Sequence, residues 1–138
     1  MNRKQEFIRI TRENQDRYDK LNEDRMEFYS YYRETKFDLL RLKQEHREVY
    51  EKLIHWETRY YWFCFYEYFE GHVRKSVPKE VIHGWDRAIV NSLKNPVHRQ
   101  AWEQVVRQID FWGYSEFNRF IDQCLAGHCV IGDTKRRG

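Results

Sequence analysis

The chain has 138 residues, which is enough for one domain with a buried core, and 34% of its residues are charged. The net charge of +3 excludes the strongly basic surface that draws a whole molecule to nucleic acid or to anionic lipid. An aromatic content of 17% excludes the low-hydrophobicity composition of disordered chains, so we expect a folded protein.

Cysteine use and hydropathy bear on the cell compartment. The chain has three cysteines, Cys64, Cys124 and Cys129, and its N-terminus lacks the apolar segment of a secretory signal. An odd number of cysteines without a signal is typical of the reducing cytoplasm, so we predict a cytoplasmic location. The uncharged stretch from Tyr60 to Tyr66 is far shorter than the ~20 apolar residues of a membrane span, so we predict none.

The first elements in the chain form a long, charged, amphipathic helix, which we predict over residues 1–42. One stripe recurs at alternating three- and four-residue steps, as in a coiled coil, although several of its members are polar. The stripe consists of Phe7, Ile10, Asn14, Tyr18, Leu21, Arg25, Phe28, Tyr32, Thr35, Leu39, Leu42, His46, Val49 and Leu53. We expect a break between Leu42 and His46, and we expect the stripe to meet another helix, from a second copy or a partner.

The next element is the most aromatic. Residues 60–72 read YYWFCFYEYFEGH and contain eight aromatic side chains. The run lacks the period-two alternation of a strand, and a helix that is apolar nearly all round is enclosed by neighbours. The sequence therefore predicts a central helix over residues 47–70, ended by Gly71 at its C-terminal cap.

Glu67 lies among these aromatic residues, where a buried carboxylate must be paired, hydrogen-bonded or protonated. It is explained either by a structural hydrogen bond or ion pair, or by a role as the polar anchor of a ligand site. For the second explanation, the candidate pocket lies between the aromatic helix and two tryptophan-bearing helices. Its predicted lining is Trp62, Tyr66, Glu67, Trp85 and Trp102.

Three shorter helices follow, and turn residues mark their ends. We predict one helix after Pro78 with Ser76 or Val77 at its cap, and a second that starts at Asn95-Pro96. Gly113 breaks the chain, and a last helix is predicted from a Ser115 cap to a stop at Gly127. Residues 43–127 are thus predicted to form a compact bundle, and residues 128–138 a flexible tail.

One part of the chain resembles a known group. The order YEYFEGHVRKSVPKEVIHGWDRAIVNSLKNPVHRQAWEQV, followed by EFNRFID, is similar to an uncharacterised group of small helical bacterial domains often found behind one membrane-spanning helix. The likeness spans roughly residues 38–125 and consists of an aromatic helix, two tryptophan helices and a phenylalanine-rich helix. It implies a helical fold but carries over no function and no residue roles, and this chain departs from it by having a charged N-terminal helix.

No motif predicts catalysis, a metal or a cofactor. Glu80-Val-Ile-His83 is an E-x-x-H, but a di-iron bundle needs a second copy and two further glutamates. Cys124, His128 and Cys129 lack the fourth ligand and the paired spacing of a zinc site. Cys64 lies inside an apolar helix, where a thiol stays protonated.

The sequence therefore predicts an all-α bundle of about four short helices around a central aromatic helix, with a long charged N-terminal helix. The function it favours is a non-catalytic interaction or scaffold module that self-associates through helices or binds a protein partner. The alternative is a small-ligand sensor with its pocket between the aromatic helix and the tryptophan helices. Nucleic-acid binding is not predicted, because lysine and arginine are concentrated only at residues 74–79 and 135–137.

Overall fold

The computed structural model describes residues 2–25 and 28–127, and every regular element in these ranges is helical. The helices are α1 (Arg3–Arg25), α2 (Tyr29–Glu34), α3 (Leu39–Glu45), α4 (Arg47–Tyr68), α5 (Lys79–Ser92), α6 (Pro96–Gln104) and α7 (Ser115–Leu125). A π-helical turn, Phe69–Val73, extends α4, and a 3₁₀ turn, Val106–Gln108, follows α6. The predicted all-α bundle with a central aromatic helix and a long charged N-terminal helix is confirmed.

Helix α4 is the centre of the bundle, and it packs against α1, α3, α5 and α6. Tyr61 and Phe65 are fully buried, and the ring of Phe65 lies 5.3 Å from that of Phe117 on α7. Aromatic pairs in such edge-to-face geometry stabilise a core beyond the area they bury. The aromatic block is therefore the interior of the protein, because rings from later elements close over it.

The N-terminal helix is shorter than the predicted span of residues 1–42, because α1 ends at Arg25. A further break follows α2, where Lys36 and Phe37 adopt left-handed backbone conformations with φ of 54° and 60°. Asp38 then begins α3, and its side chain accepts hydrogen bonds from the backbone N–H groups of the first turn. Two consecutive left-handed residues cannot continue a helix, which explains why the predicted single helix is wrong.

The break expected between Leu42 and His46 is confirmed. His46 has φ −141° and ψ 68°, and it separates α3 from α4. Its backbone N–H donates to the Leu42 carbonyl at 2.8 Å, which completes the last turn of α3.

The stripe of residues predicted along the N-terminal half is buried against the same chain. Ile10 and Leu21 of α1 are buried, and the indole N–H of Trp56 on α4 donates to the Leu21 carbonyl at 2.8 Å. The ring of Tyr18 meets that of Phe63 edge-on at 5.8 Å. Helix α1 is therefore a wall of the bundle.

The C-terminal end of α4 differs from the prediction, because Gly71 does not cap it. Gly71 lies inside the π-helical turn, and the first left-handed residue after it is Lys75, with φ 53°. A Cβ atom on Gly71 would lie 3.2 Å from Cγ1 of Ile82. A larger residue would therefore require Ile82 on α5 to shift by a few tenths of an ångström.

The later helices start close to the turn residues predicted for them, with small shifts at α5 and α7. The side chain of Asn95 accepts from the backbone N–H of Val97 at 3.0 Å, so the predicted cap of α6 is confirmed. Helix α5 has Pro78 itself at the N-cap, in place of Ser76 or Val77. An extended ψ of 155° at that proline places it outside the helix.

The last helix, α7, starts one residue earlier than its predicted cap implies. Ser115 is its first residue, and Tyr114 occupies the N-cap position without a side-chain hydrogen bond. Gly113 and Gly127 have φ of 79° and 85°, so both predicted glycine breaks are confirmed.

None of the helices in residues 2–25 and 28–127 combines the length and the apolar character needed to cross a membrane. The predicted tail, residues 128–138, lies outside the described residues, and so do His128 and Cys129 of the cysteine–histidine cluster.

Candidate ligand-binding cavity

A cavity of about 270 Å³ opens between α1, α4 and α5, and we call it the α1–α4–α5 cavity. Its walls are mostly aromatic and aliphatic, with a few polar groups, as is typical of small-molecule sites. The lining is Asn14, Gln15, Tyr18, Leu21, Asn22, Trp56, Tyr60, Phe63, Cys64, Glu67, Trp85, Ala88, Ile89, Ser92 and His98.

Glu67 is the buried carboxyl group of this cavity. The side-chain amide of Asn14 on α1 donates a hydrogen bond to its Oε2 atom at 2.8 Å. Burial raises the pKa of Glu67 to about 8, the Asn14 hydrogen bond opposes the rise, and the negative charge of Asp86 on α5 adds to it. At neutral pH the carboxyl group is therefore mostly protonated and uncharged.

The protonated form decides what the cavity can bind. A carboxylic acid offers one O–H donor together with acceptor capacity, and the Asn14 carboxamide offers a carbonyl acceptor besides its donors. The two side chains thus form a neutral donor–acceptor pair on a largely apolar wall. This arrangement suits an uncharged ligand with a polar substituent better than it suits an ion.

The lining contains a second hydrogen-bonded pair, Tyr60 on α4 and Ser92 on α5. The Ser92 hydroxyl donates to the Ile89 carbonyl at 2.9 Å, which leaves its oxygen to accept from the hydroxyl of Tyr60. Burial raises the pKa of Tyr60 well above its ordinary value, so this residue remains a neutral phenol. Both hydroxyl groups are satisfied within the wall and fix its shape.

Cys64 also lines the cavity, but its chemistry is not that of a nucleophile. The residue is fully buried, and burial raises the pKa of its thiol well above the ordinary value, with a further rise from Glu67. A thiol reacts as its thiolate, so Cys64 acts here as a small apolar side chain.

Two of the five predicted site residues meet in this cavity. Glu67 and Trp85 both line it. Trp62 and Tyr66 face away from it, where their rings pack 6.2 and 5.6 Å from that of Trp112. Trp102 is fully buried in the core, and its indole N–H donates to Oδ1 of Asp122 at 2.9 Å.

The predicted pocket therefore has a different third wall. The sequence pattern favoured a position between the aromatic helix and both tryptophan helices, whereas α1 forms the third wall and α6 contributes only His98 to the lining. Asn14 carried a usable signal, because it is a polar residue in an otherwise buried stripe. Its contact with Glu67 joins residues 53 positions apart, which helical periodicity cannot predict.

A buried hydrogen-bonded pair that no sequence motif indicated borders the same cavity. His98 on α6 places Nδ1 2.8 and 3.0 Å from the two carboxylate oxygens of Glu57 on α4. The imidazole also stacks on the ring of Tyr60 at 4.5 Å, and the Tyr61 hydroxyl donates to the His98 carbonyl at 2.7 Å. These contacts join α6 to α4 beside the cavity.

The remaining motifs assemble no metal centre within the described ranges. Glu80 of the E-x-x-H motif is exposed, whereas His83 is buried. In that part of the chain, no group of three or more histidine, cysteine, aspartate or glutamate side chains could hold a metal ion.

Comparison with models of protein families, with curated proteins and with solved structures gives no match to this chain. The resemblance to small helical bacterial domains stays a prediction. Any functional conclusion for this chain therefore depends on the geometry and chemistry of the cavity.

Proposed function

We propose that the protein is a non-catalytic domain that binds a small, uncharged, ring-containing molecule in the α1–α4–α5 cavity. The observation that carries this proposal is the buried Glu67 carboxyl group on an apolar cavity wall, held by Asn14. A buried titratable group with a strongly raised pKa in an apolar cavity is a frequent mark of a binding site.

The shape and size of the cavity favour a ligand with one or two rings. Its volume of about 270 Å³ is near the lower end of small-molecule sites. The indole of Trp85 and the ring of Tyr18 offer flat apolar surfaces, while Glu67 and Asn14 offer the polar contact. We infer that the polar substituent of the ligand, such as a hydroxyl or a ring N–H, meets Glu67.

The test uses indole, p-cresol and toluene as probes in ¹H–¹⁵N NMR titrations of the full chain. We expect indole and p-cresol to shift the side-chain signals of Trp85 and Asn14, and toluene to bind more weakly because it lacks a polar group. If no probe at millimolar concentration shifts either signal, the proposal fails.

A matched pair of variants locates the binding. Ala88 lies at the mouth of the cavity, and Ala126 lies at the end of α7, outside it; both are exposed. Ala88→Trp should abolish the shifts, and Ala126→Trp should leave them unchanged. Equal effects of the two substitutions would place the binding elsewhere.

Self-association through α1, the interaction role predicted from the sequence, remains a separate hypothesis. The stripe that suggested it contacts α4, so any such contact would use the outer face, where Ile8 is exposed. Light scattering of the full chain tests it, and a molar mass of one chain at high micromolar concentration would contradict it.

A further inference from the structure

A second cavity, of about 430 Å³, lies on the other side of Trp56 and His98, between α2, α4 and the start of α6. We call it the α2–α4–α6 cavity. Its lining is Phe28, Tyr32, Phe37, Leu53, Trp56, Glu57, Lys94, Asn95, Pro96, Val97 and His98. It shares Trp56 and His98 with the first cavity, and it does not depend on the function proposed for that cavity.

We propose that the α2–α4–α6 cavity is a separate binding site for an amphipathic organic anion, in which aromatic rings fill the apolar interior and a carboxylate or sulfonate meets Lys94. The rings of Phe28, Tyr32, Phe37 and Trp56 form the apolar part of the lining.

Lys94 supplies the positive charge at the rim. Its side chain is exposed, and within residues 2–25 and 28–127 it has no ion-pair partner. Asn95 and Pro96 follow it and begin α6, so the positive end of that helix dipole also borders the cavity. A lysine beside a helix N-terminus favours an anionic group at this position.

The one acidic side chain in the lining does not oppose an anion at the rim. Both carboxylate oxygens of Glu57 lie within hydrogen-bond distance of His98 Nδ1, and Glu57 is fully buried. The Glu57 oxygens are therefore occupied by His98 inside the bundle, whereas Lys94 lies at the surface.

The segment at the α2 side of the cavity is held in a strained conformation. Lys36 and Phe37 both have positive φ, which costs energy for residues other than glycine. The Phe37 carbonyl accepts hydrogen bonds from Gln100 Nε2 at 2.8 Å and from the Tyr32 hydroxyl at 2.9 Å. These bonds fix the Phe37 ring edge-on to Tyr32 at 5.2 Å, so the aromatic edge of the cavity is formed before any ligand arrives. Strained residues fixed in this way are frequent at ligand clamps.

The test compares two fluorescent probes with the same ring skeleton. 8-Anilinonaphthalene-1-sulfonate carries a negative charge, and N-phenyl-1-naphthylamine is its uncharged counterpart. We expect the anionic probe to bind the full chain more tightly. Substituting Lys94→Met should weaken its binding about three- to fivefold, as expected for an exposed ion pair, while binding of the neutral probe changes less than about 1.5-fold.

Two further variants make the result decisive. Lys79→Met removes an exposed lysine that lies outside the lining and should leave both affinities unchanged. Ala88→Trp obstructs the first cavity and should also leave binding of the anionic probe unchanged, so the two proposals can fail separately. The proposal is overturned if Lys94→Met and Lys79→Met weaken the anionic probe equally, or if Ala88→Trp abolishes its binding.

Discussion

Glu67 couples the stability of the fold to pH. In the unfolded chain its pKa is near 4.5, and burial raises it to about 8 in the folded protein. Between these values the folded state keeps a proton that the unfolded state has lost. The free energy of unfolding therefore falls by up to about 1.4 kcal/mol per pH unit as pH rises from about 4.5 to 8, and it levels off above pH 8.

The variant Glu67→Gln tests this coupling, because glutamine keeps an acceptor for Asn14 and does not titrate. We expect the variant to lose the decline between pH 5 and 8 and to be more stable than the natural chain at pH 8.5. Urea unfolding at each pH measures the difference. Glu116→Gln, at an exposed acid on α7, should keep the natural slope; if Glu67→Gln also keeps it, the assignment to Glu67 is wrong.

The buried pair of Glu57 and His98 makes a second prediction at the scale of single residues. His98→Phe keeps a ring in place but leaves the Glu57 carboxylate buried without its partner. Breaking a buried pair in this way should lower the free energy of unfolding by about 3–5 kcal/mol. Removing the exposed pair of Glu116 and Arg119, 3.7 Å apart, should cost at most about 1 kcal/mol.

The double variant Glu57→Leu/His98→Phe separates the loss of charge pairing from the loss of packing. Because an apolar pair of similar size leaves no unpaired charge, it should recover at least half of the stability lost in His98→Phe. Equal instability of the single and double variants in urea unfolding would attribute the loss to packing alone.

At the scale of elements, two helical glycines should respond in opposite ways to alanine. Gly84 is exposed on α5, and a Cβ atom there meets nothing within 4 Å. Gly84→Ala should therefore stabilise the protein by about 0.5–1 kcal/mol through helix propensity. Gly71→Ala places a Cβ atom 3.2 and 3.4 Å from two atoms of Ile82, so we expect a net loss of stability.

Thermal unfolding followed by circular dichroism measures both substitutions. A gain in Gly71→Ala equal to that in Gly84→Ala would show that α5 can move away from the π-helical turn without cost. The close approach of α5 would then no longer explain why position 71 is a glycine.

The helix boundaries could be predicted from the sequence where one or two neighbouring residues determine them. Asn95-Pro96 and Gly113 mark helix boundaries through the chemistry of one or two residues, and both boundaries are found. The ends of α1 and α2 carry no glycine or proline, and the left-handed pair Lys36 and Phe37 is held by Gln100, 63 residues away from Phe37. A break that depends on a distant hydrogen bond cannot be predicted from the segment alone.

At the scale of the whole molecule, the dependence on contacts between distant residues also explains why the candidate site was predicted only in part. The period of the N-terminal stripe correctly identifies its buried face, since Ile10 and Leu21 are both buried. Periodicity predicts which face of a helix is buried, but it does not predict which other helix packs against that face. The sequence therefore predicted Glu67 and Trp85 as site residues but assigned the third wall to α6, whereas Asn14 on α1 provides it.

Whether α1 is a wall of the bundle or an arm attached to it decides the last prediction. Ile10 and Ile8 lie two residues apart on α1, with exposed fractions of 5% and 42%. If α1 folds with the bundle, Ile10→Ala should lower the free energy of unfolding by about 2–4 kcal/mol, and Ile8→Ala by less than about 1 kcal/mol. Helix propensity changes equally in the two variants, so it cancels in the comparison.

Tryptophan fluorescence during urea unfolding is the suitable measurement, because all five tryptophans lie outside α1. A lower urea midpoint for Ile10→Ala would mean that α1 and the rest of the bundle unfold together. An unchanged tryptophan transition in Ile10→Ala would mean that α1 separates first. In that case the α1–α4–α5 cavity would lose the Asn14 wall before the rest of the bundle unfolds, and ligand binding there would depend on the docking of one helix.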